Sequence, residues 1–270
     1  MSRPKIGAFR RLHEQGCFVM PNPWDIGSAR VLARMGFKAL ATTSAGFAWS
    51  IGCADNRVRL EDALAHYRAI TATVDLPVNA DFEDGFAVEP SAVAAHVALA
   101  ASTGVAGLSI EDSVRDAAEP LHPFSLAVER VRAAREAIDS SGTGVLLTGR
   151  SEGFIVGRPD LAETIRRLTA YAEAGADCLF APGIKSSADV RAVVAAVAPK
   201  PVNVVVSGDF TTVEDLAAMG VRRISVGGAL ARVAWTGFLE AAAEISERGT
   251  FTALGRAVPG ASINAKFSGS

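Results

Sequence analysis

Short apolar runs alternate with longer stretches of helical periodicity along most of the chain. Strands that alternate with helices in this way are typical of βαβ units and a parallel sheet. Eight apolar runs are predicted as strands, at residues 18–21, 37–43, 77–82, 106–110, 144–148, 177–181, 201–206 and 222–226. The stretches that follow them predict helices at residues 24–35, 60–74, 90–103, 124–139, 160–174, 187–197, 212–219 and 228–247.

Glycines mark several of the junctions between helix and strand. Gly36, Gly104, Gly175 and Gly220 each stand just before an apolar run, where a helix commonly ends. Eight strand–helix units in a chain of 270 residues predict a (β/α)₈ TIM barrel. The alternative, a doubly wound open sheet, more often carries a glycine-rich phosphate turn after its first strand, and here that place holds Pro21-Asn22-Pro23.

The barrel is predicted to fill most of the chain. We assign residues 1–249 to it, its last helix included, and residues 250–270 to a C-terminal tail. The tail is small and polar with few apolar anchors, so we expect it to be docked or partly disordered.

Composition excludes several classes of function. With 49% hydrophobic residues and a net charge of −2, the chain can bury a sizeable core but offers no basic surface for nucleic acid. Its start lacks the apolar core of a signal peptide, and no apolar run is long enough to span a membrane. Three widely spaced cysteines imply neither a disulfide framework nor a zinc site. We therefore expect a soluble cytoplasmic protein with no nucleic-acid or membrane partner.

An acidic cluster ends the third predicted strand. Asp81, Glu83 and Asp84 are followed at once by Gly85. Side chains alternate along a strand, so Asn79 and Asp81 share a face, and Glu83 continues it if the backbone stays extended. Clustered carboxylates suit a hard cation such as Mg²⁺. The alternative is an acidic turn that caps the next helix.

The ends of the other strands also carry polar side chains. Barrel active sites lie at the carboxyl ends of the strands. These positions hold Asn22, Thr43, Ser44, Asp81, Phe82, Glu83, Glu111, Asp112, Thr148, Gly149, Arg150, Pro182, Ser207, Gly208, Asp209 and Gly227. An arginine opposite a cation held by carboxylates is suited to a dianionic substrate, whose carboxylate the guanidinium can bind with two hydrogen bonds. The alternative is a set of salt bridges that closes the top of the barrel.

Six segments carry a resemblance to a known family. They are Pro21-Asn22-Pro23-Trp24-Asp25, Thr42-Thr43-Ser44-Ala45-Gly46, Asn79-Ala80-Asp81, Ser109-Ile110-Glu111-Asp112, Gly149-Arg150-Ser151-Glu152 and Ala172-Glu173-Ala174-Gly175-Ala176-Asp177. In order and spacing they resemble the isocitrate lyase/phosphoenolpyruvate mutase superfamily over nearly the whole chain. The resemblance implies a Mg²⁺-dependent barrel, with Mn²⁺ as a substitute, that makes or cleaves a bond to the methylene carbon of a pyruvate enolate. It also implies a homotetramer whose last helix is exchanged between neighbouring barrels.

The resemblance further implies roles for individual residues. Asp81 matches the main metal-ligand aspartate and Glu111 a glutamate that acts on the metal largely through water. Asn79 replaces an aspartate of most members, and we expect Glu83, with Asp84, to compensate as a metal ligand. The substrate-binding set is Thr43, Ser44, Ala45, Gly46, Arg150 and Asn203. The catalytic set is Arg150, Asp55 and Glu111, with Asp55 near the metal-bound water.

The loop after the fourth strand departs from the superfamily. Lyase members carry a Lys-Lys-Cys-Gly-His loop whose cysteine is a general acid, and the phosphonate enzymes carry lysine with asparagine or threonine. Residues 113–123 contain none of lysine, cysteine or asparagine. His122 is the one acid/base candidate there at neutral pH, the alternative being a packed loop residue. Cys17 and Cys178 are expected to be buried, and Cys53 lies in the loop after strand two.

Decarboxylation of a substrate such as oxaloacetate releases CO₂ without a dedicated acid. The absence of the superfamily's catalytic residues from the loop after the fourth strand therefore affects this reaction least. We therefore expect a lyase or decarboxylase for a small 2-oxo or 2-hydroxy dicarboxylate. The alternatives are phosphonopyruvate or carboxyphosphonoenolpyruvate chemistry at a carbon–phosphorus bond, and a non-catalytic barrel that binds 2-oxo acids.

Overall fold

The computed structural model describes residues 3–114 and 118–268. Its sheet contains eight parallel strands in the order β1-β8-β7-β6-β5-β4-β3-β2. The strands are β1 (Phe18–Met20), β2 (Leu40–Ala41), β3 (Val78–Asp81), β4 (Gly107–Glu111), β5 (Leu146–Arg150), β6 (Cys178–Phe180), β7 (Val202–Val205) and β8 (Arg223–Ser225).

The first and second strands bring the sheet back upon itself. The backbone N–H of Ala41 donates to the carbonyl of Pro21 at 3.1 Å, just beyond the end of β1. This contact nearly closes the sheet into a barrel. The prediction of a (β/α)₈ TIM barrel is confirmed.

Helices follow the strands around the outside. They are α1 (Arg3–Glu14), α2 (Ile26–Arg34), α3 (Ser44–Ser50), α4 (Leu60–Thr73), α5 (Pro90–Ala101), α6 (Phe124–Ser141), α7 (Leu161–Glu173), α8 (Ser187–Val197), α9 (Val213–Ala218), α10 (Ala229–Arg248) and α11 (Gly260–Ala265). A short 3₁₀ helix, Thr252–Arg256, lies between the last two. The main core cluster joins strand residues such as Leu108 and Leu147 to helix residues such as Val93, Ile138 and Leu168.

Three α-helices were not expected from the sequence: α1, α3 and α11, the last of which lies in the predicted tail. Helix α1 buries Ile6, Phe9 and His13, and a Cβ added to Gly107 at the start of β4 would meet the Phe9 ring at 2.7 Å. Phe9 therefore packs directly on the barrel. Helix α3 replaces the first part of a predicted loop, and strand β2 is correspondingly shorter than predicted.

Residues 250–268 are exposed along nearly their whole length and contact the rest of the chain at a few points. Glu244 of α10 accepts hydrogen bonds from the Thr250 hydroxyl and from the backbone N–H groups of Thr252 and Ala253. The Arg34 guanidinium of α2 donates to the carbonyl of Lys266. These contacts dock the segment on α10 and α2. Among the described residues, no helix has the length and apolarity that crossing a membrane requires.

Candidate active site

A cavity of about 380 Å³ opens at the carboxyl ends of the strands. Seven of the predicted site residues line it: Thr43, Ser44, Ala45, Asp55, Asp81, Arg150 and Asn203. Gly46, Glu83 and Glu111 are predicted site residues that lie outside its lining. The strands therefore bring together most of the residues that the sequence singled out.

Arg150 occupies the centre of the charged part of the site. Its Nη1 lies 3.1 Å from Asp81 Oδ1 and 3.1 Å from Glu111 Oε2, while its Nε donates to Glu152. Asp81, Glu111 and Arg150 end the neighbouring strands β3, β4 and β5. Glu152 follows Arg150 by two positions. One guanidinium thus faces three carboxylates.

Burial and the neighbouring charges shift the pKa values of these groups. Burial raises the pKa of Glu111 well above its usual value, and the negative charges of Glu152 and Asp81 add to the rise, although Arg150 opposes it. Burial likewise raises the pKa of Glu152 against the pull of Arg150. Burial lowers the pKa of Arg150, but the surrounding carboxylates outweigh it and hold that pKa well above its usual value. Three carboxyl groups thus share one arginine in a buried environment.

Asp81 is fixed from several sides. Its backbone N–H donates to the Thr42 hydroxyl at 2.9 Å, and its carbonyl accepts from the Tyr67 hydroxyl at 2.7 Å. Its Oδ2 accepts from both the backbone N–H and the hydroxyl of Ser44, each at 3.0 Å. The donors predicted to bind a substrate carboxylate are therefore turned toward Asp81 in this structure.

Thr43 and Gly46 shape the turn that presents Ser44. The Thr43 hydroxyl caps α3 by accepting from the Gly46 N–H at 3.3 Å. A Cβ on Gly46 would come within 2.7 Å of Thr43 Cγ2 and 2.9 Å of Trp24 Cβ. Glycine is required here because the helix packs so closely on its neighbours.

Asp55 and Glu83 lie on different sides of Asp81. Asp55 lines the cavity, and burial together with the charge of Asp81 raises its pKa. Glu83 is 3% exposed and shares a small secondary cavity with His66 and Tyr67. Its φ of +46° ends the extended backbone after β3, so the alternation that would have carried it onto the face of Asp81 stops there.

Asp112 and His122 are buried outside the lining of the cavity. The Asp112 carboxylate accepts from the Tyr171 hydroxyl at 2.6 Å, from Arg167 at 3.1 Å and from the Glu152 N–H at 2.8 Å, so it braces the loop after β5. His122 is 3% exposed and absent from the cavity lining. Burial lowers its pKa to about 4. Part of the departing loop, residues 115–117, lies outside the described residues.

Two buried polar residues of the site received no role from the sequence, although Asn22 stands at a predicted strand end. Asn22 Oδ1 accepts from the N–H groups of Val226 and Gly227 at 2.9 Å each, and its Nδ2 donates to the Thr42 carbonyl at 2.8 Å, which ties β1 to the ends of β8 and β2. Arg223 lines the cavity from the start of β8. Its only sequence signal is an arginine inside a short apolar run.

The grouping of the acidic side chains limits how a metal ion could be held. Within residues 3–114 and 118–268, no three His, Cys, Asp or Glu side chains are grouped so that they could hold an ion. Asp81 and Glu111 nevertheless both reach one cationic nitrogen. An ion in this region would depend on one or two carboxylates and water, which is the usual Mg²⁺ arrangement.

Sequence comparison identifies a family model and several relatives that match this chain. A model of the phosphoenolpyruvate phosphomutase family matches residues 9–246. An uncharacterized protein of Mycobacterium tuberculosis (strain H37Rv) is 34% identical, over 96% of each chain. The 2-methylisocitrate lyase of Escherichia coli K12 is 32% identical, over 60% of this chain and 56% of that one. An oxaloacetate decarboxylase of Bradyrhizobium diazoefficiens is 30% identical, over 67% of this chain and 64% of that one.

Solved structures show the same architecture. A Burkholderia cenocepacia J2315 protein, provisionally named a lyase/mutase, superposes with a TM-score of 0.95 at 47% identity, covering 99% of this chain and 97% of that one. Oxaloacetate acetylhydrolase in complex with its product oxalate gives a TM-score of 0.85 at 26% identity, covering 98% and 94%.

Proposed function

Since the chain belongs to the phosphoenolpyruvate phosphomutase family, within the isocitrate lyase/phosphoenolpyruvate mutase superfamily, we propose that it is a Mg²⁺-dependent carbon–carbon lyase or decarboxylase. Its substrate would be a small 2-oxo or 2-hydroxy dicarboxylate similar to oxaloacetate, cleaved through a pyruvate enolate. The observation that carries this proposal is the meeting of Asp81, Glu111 and Arg150 at one point beside the cavity. The relative named oxaloacetate decarboxylase supports the choice of substrate class.

The donor set fits a divalent cation. Asp81 and Glu111 would hold it, with Asp55 near its water and Glu83 adding negative charge from behind Asp81. The surplus of carboxylates around Arg150 is the charge environment that such an ion relieves. When bound, Mg²⁺ or Mn²⁺ would polarise the 2-oxo group and offset the negative charge that develops on its oxygen.

Arg150 and the turn at Ser44 are suited to hold the 1-carboxylate. The guanidinium can meet a carboxylate with two parallel hydrogen bonds. The Ser44 hydroxyl and backbone N–H, now directed at Asp81 at 3.0 Å, are the second pair of donors. An anion bound between them would replace contacts with Asp81 that the two residues make in its absence.

The bond that breaks joins the methylene carbon to the distal carboxylate. Its electron pair moves into the methylene–carbonyl bond, CO₂ leaves, and the carbonyl oxygen becomes the enolate oxygen. A water molecule near Asp55 in the cavity then donates a proton to the methylene carbon, which gives pyruvate and a hydroxide ion that combines with CO₂ as bicarbonate. No protein acid is needed to expel CO₂, so the missing loop residues do not prevent this reaction.

The test is a coupled assay that follows pyruvate from oxaloacetate with Mg²⁺ and the purified protein. An enzyme-free Mg²⁺ blank is essential because the ion alone decarboxylates oxaloacetate slowly. We expect activity that disappears in excess EDTA and in Asp81→Asn, and that persists in Asp62→Asn, a carboxylate paired with Arg59 on the surface. Turnover of phosphonopyruvate but not oxaloacetate would favour carbon–phosphorus chemistry. Oxalate binding without turnover of either would indicate a non-catalytic 2-oxo acid-binding barrel.

A further inference from the structure

Arg223 is a buried cation at the floor of the cavity, by which we mean the lining contributed by the strands themselves. It begins β8 and is in register with Phe18 of β1 and Asn203 of β7. Its side chain is 2% exposed, yet it crosses the barrel interior to reach Thr148 on β5. It lines the same cavity as Ser44, Asp81 and Arg150.

Every hydrogen-bond partner recorded for its guanidinium is uncharged. Its Nε donates to Asn203 Oδ1 at 2.9 Å and its Nη2 to Thr148 Oγ1 at 3.0 Å. Its Nη1 lies 3.4 Å from His13 Nε2, and burial together with the charge of Arg223 lowers the pKa of His13 to about 3, so the imidazole is neutral near pH 7. In the part of the chain that the structure describes, no carboxylate pairs with Arg223.

This environment is the opposite of the one around Arg150. Arg150 has three carboxylate partners, whereas Arg223 has an amide, a hydroxyl and an imidazole. A charge taken out of water without a counter-ion is strongly disfavoured, and a ligand of opposite charge relieves that cost. The uncharged polar residues Asn79, Ser109 and Ser225 of the floor cannot supply that charge, and the Asp81 carboxylate is paired with Arg150.

The two arginines also stand at different depths. Thr148, which Arg223 reaches, precedes Arg150 by two positions on β5. Two residues along a strand correspond to roughly 6–7 Å. A short dicarboxylate whose first carboxylate is held by Arg150 can therefore extend toward Arg223.

We propose that Arg223 binds the distal carboxylate of the substrate and makes the site selective for dianions over monoanions. This inference rests on the proposed function, since it assumes that the 2-oxo or 2-hydroxy acid end is held by Arg150 and Ser44. It adds a second recognition group that is deeper in the barrel than Arg150. In a decarboxylation the same contact would hold the carboxylate that leaves.

The test uses two 2-hydroxy acids that differ only at the distal end. Malate and lactate share a 2-hydroxy acid group, and malate alone has a second carboxylate. Their dissociation constants are measured by calorimetry in wild type, Arg223→Gln and Arg223→Lys, all with Mg²⁺. Arg222→Gln is the matched control, because Arg222 lies next in sequence but donates to the Gly16 carbonyl outside the cavity.

We expect wild type to bind malate at least about tenfold more tightly than lactate, the scale of a desolvated charge pair. Arg223→Gln should lose about tenfold or more in affinity for malate and less than about twofold for lactate. Arg222→Gln should bind both ligands as wild type does. Arg223→Lys should keep part of the preference for malate, because the lysine ammonium is a point charge that still attracts the distal carboxylate. If Arg223→Gln does not fold, the wild-type preference and the lysine variant still decide.

Equal binding of malate and lactate by wild type would overturn the assignment. So would an equal loss for both ligands in Arg223→Gln, since that result indicates a role in shaping the barrel rather than in contacting the distal group. The proposed function is tested separately by turnover. If malate binding depends on Arg223 but oxaloacetate is not decarboxylated, the proposed decarboxylation is refuted and the binding of the distal carboxylate by Arg223 is supported.

Discussion

Arg150 Nη1 lies 3.1 Å from Asp81 Oδ1, so the predicted substrate-binding arginine and the predicted metal-binding aspartate are in direct contact. Both side chains are 18% exposed, and the pair borders the cavity rather than the core. The contact joins a cation that suits a carboxylate to an anion that suits a metal ion. A substrate bound to Arg150 or a metal ion bound to Asp81 would compete with this contact. Mutations of the two residues can therefore distinguish a structural role of the pair from a role in activity.

We predict that Asp81→Asn abolishes activity and divalent-ion binding. Asparagine keeps the shape of the side chain but removes the charge that would hold the ion. The backbone contacts of Asp81 with Thr42 and Tyr67 do not involve its carboxylate, so the fold should persist. Activity assays and Mn²⁺ titration followed by paramagnetic resonance check this, and full wild-type activity in excess EDTA would contradict it.

We predict that Arg150→Lys lowers kcat/KM much more than it lowers the melting temperature. Lysine keeps the charge but cannot form two parallel bonds with a carboxylate. The expected loss is about 2–4 kcal/mol of transition-state binding, the range for breaking a desolvated charge pair. Kinetics and thermal melts with and without oxalate measure both quantities. A variant that melts early but binds oxalate normally would show that Arg150 is structural.

The barrel was predictable because its local signals agree. Each apolar run is short, and glycines such as Gly104 and Gly175 end the preceding helix with positive φ angles. Helix α3 was missed because its seven residues contain a glycine and follow two threonines, a composition with weak helix propensity. It forms through the Thr43 cap and through packing of Gly46 on Trp24, and packing cannot be derived from propensity.

The candidate site was likewise predictable from the sequence only in part. Asp81, Glu111 and Arg150 were predictable because they end parallel strands, which meet at one edge of the sheet. Glu83 lies outside the main cavity, in a small cavity that it shares with Asp81, because the backbone turns at a φ of +46°, and alternation along a strand does not predict that turn. Arg223 begins its strand instead of ending it, so a search of the strand ends passes over it.

We predict that His66 makes stability depend on pH below neutrality. The imidazole is stacked on Phe47 with ring centroids 4.0 Å apart, and its Nε2 is buried without a partner among the described residues. Burial lowers its pKa from 6.5 to about 4. Between these values the unfolded chain binds more protons than the folded one, so stability falls as the pH is lowered through this window, by up to about 1.4 kcal/mol per pH unit.

His66→Phe should retain the stack and remove this contribution. Urea unfolding at pH 7, 6 and 5 measures it, with the difference between variant and wild type expected to be small at pH 7 and to grow in favour of the variant at pH 5. Parallel dependence of the two proteins on pH would show that His66 is not a source of the acid sensitivity.

We predict an oligomer, a tetramer or at least a dimer, formed through α10 and the segment after it. Val233, Phe238 and Leu239 on α10 are 70%, 60% and 58% exposed, and Phe251 beyond it is 62% exposed. Exposed apolar surface of this extent usually marks an interface. Light scattering at micromolar concentration should give a multiple of the 28.0 kDa chain. The double variant Phe238→Glu/Leu239→Glu should dissociate, whereas Ser246→Glu on the same helix should not, and a monomeric wild type would refute the prediction.

We predict that the protein does not cleave isocitrate or 2-methylisocitrate at a useful rate, although one relative is a 2-methylisocitrate lyase. Those cleavages leave a carbanion next to a carboxylate, which is far more basic than a pyruvate enolate and must be protonated on carbon. A positioned acid contributes about 10²–10⁴-fold and must lie within hydrogen-bond reach. Among the described residues that line the cavity there is no cysteine, histidine or lysine.

His122 is the one residue of the altered loop that could substitute, and its surroundings argue against it. Its side chain is buried outside the cavity lining, and with a pKa of about 4 it carries no proton to donate as an imidazolium at pH 7. Both tricarboxylates are to be assayed with Mg²⁺ in wild type and His122→Ala, with oxaloacetate as the positive control. Negligible cleavage by both proteins is the expected result. Robust cleavage by wild type would disprove the prediction, and its loss in His122→Ala would identify His122 as the acid.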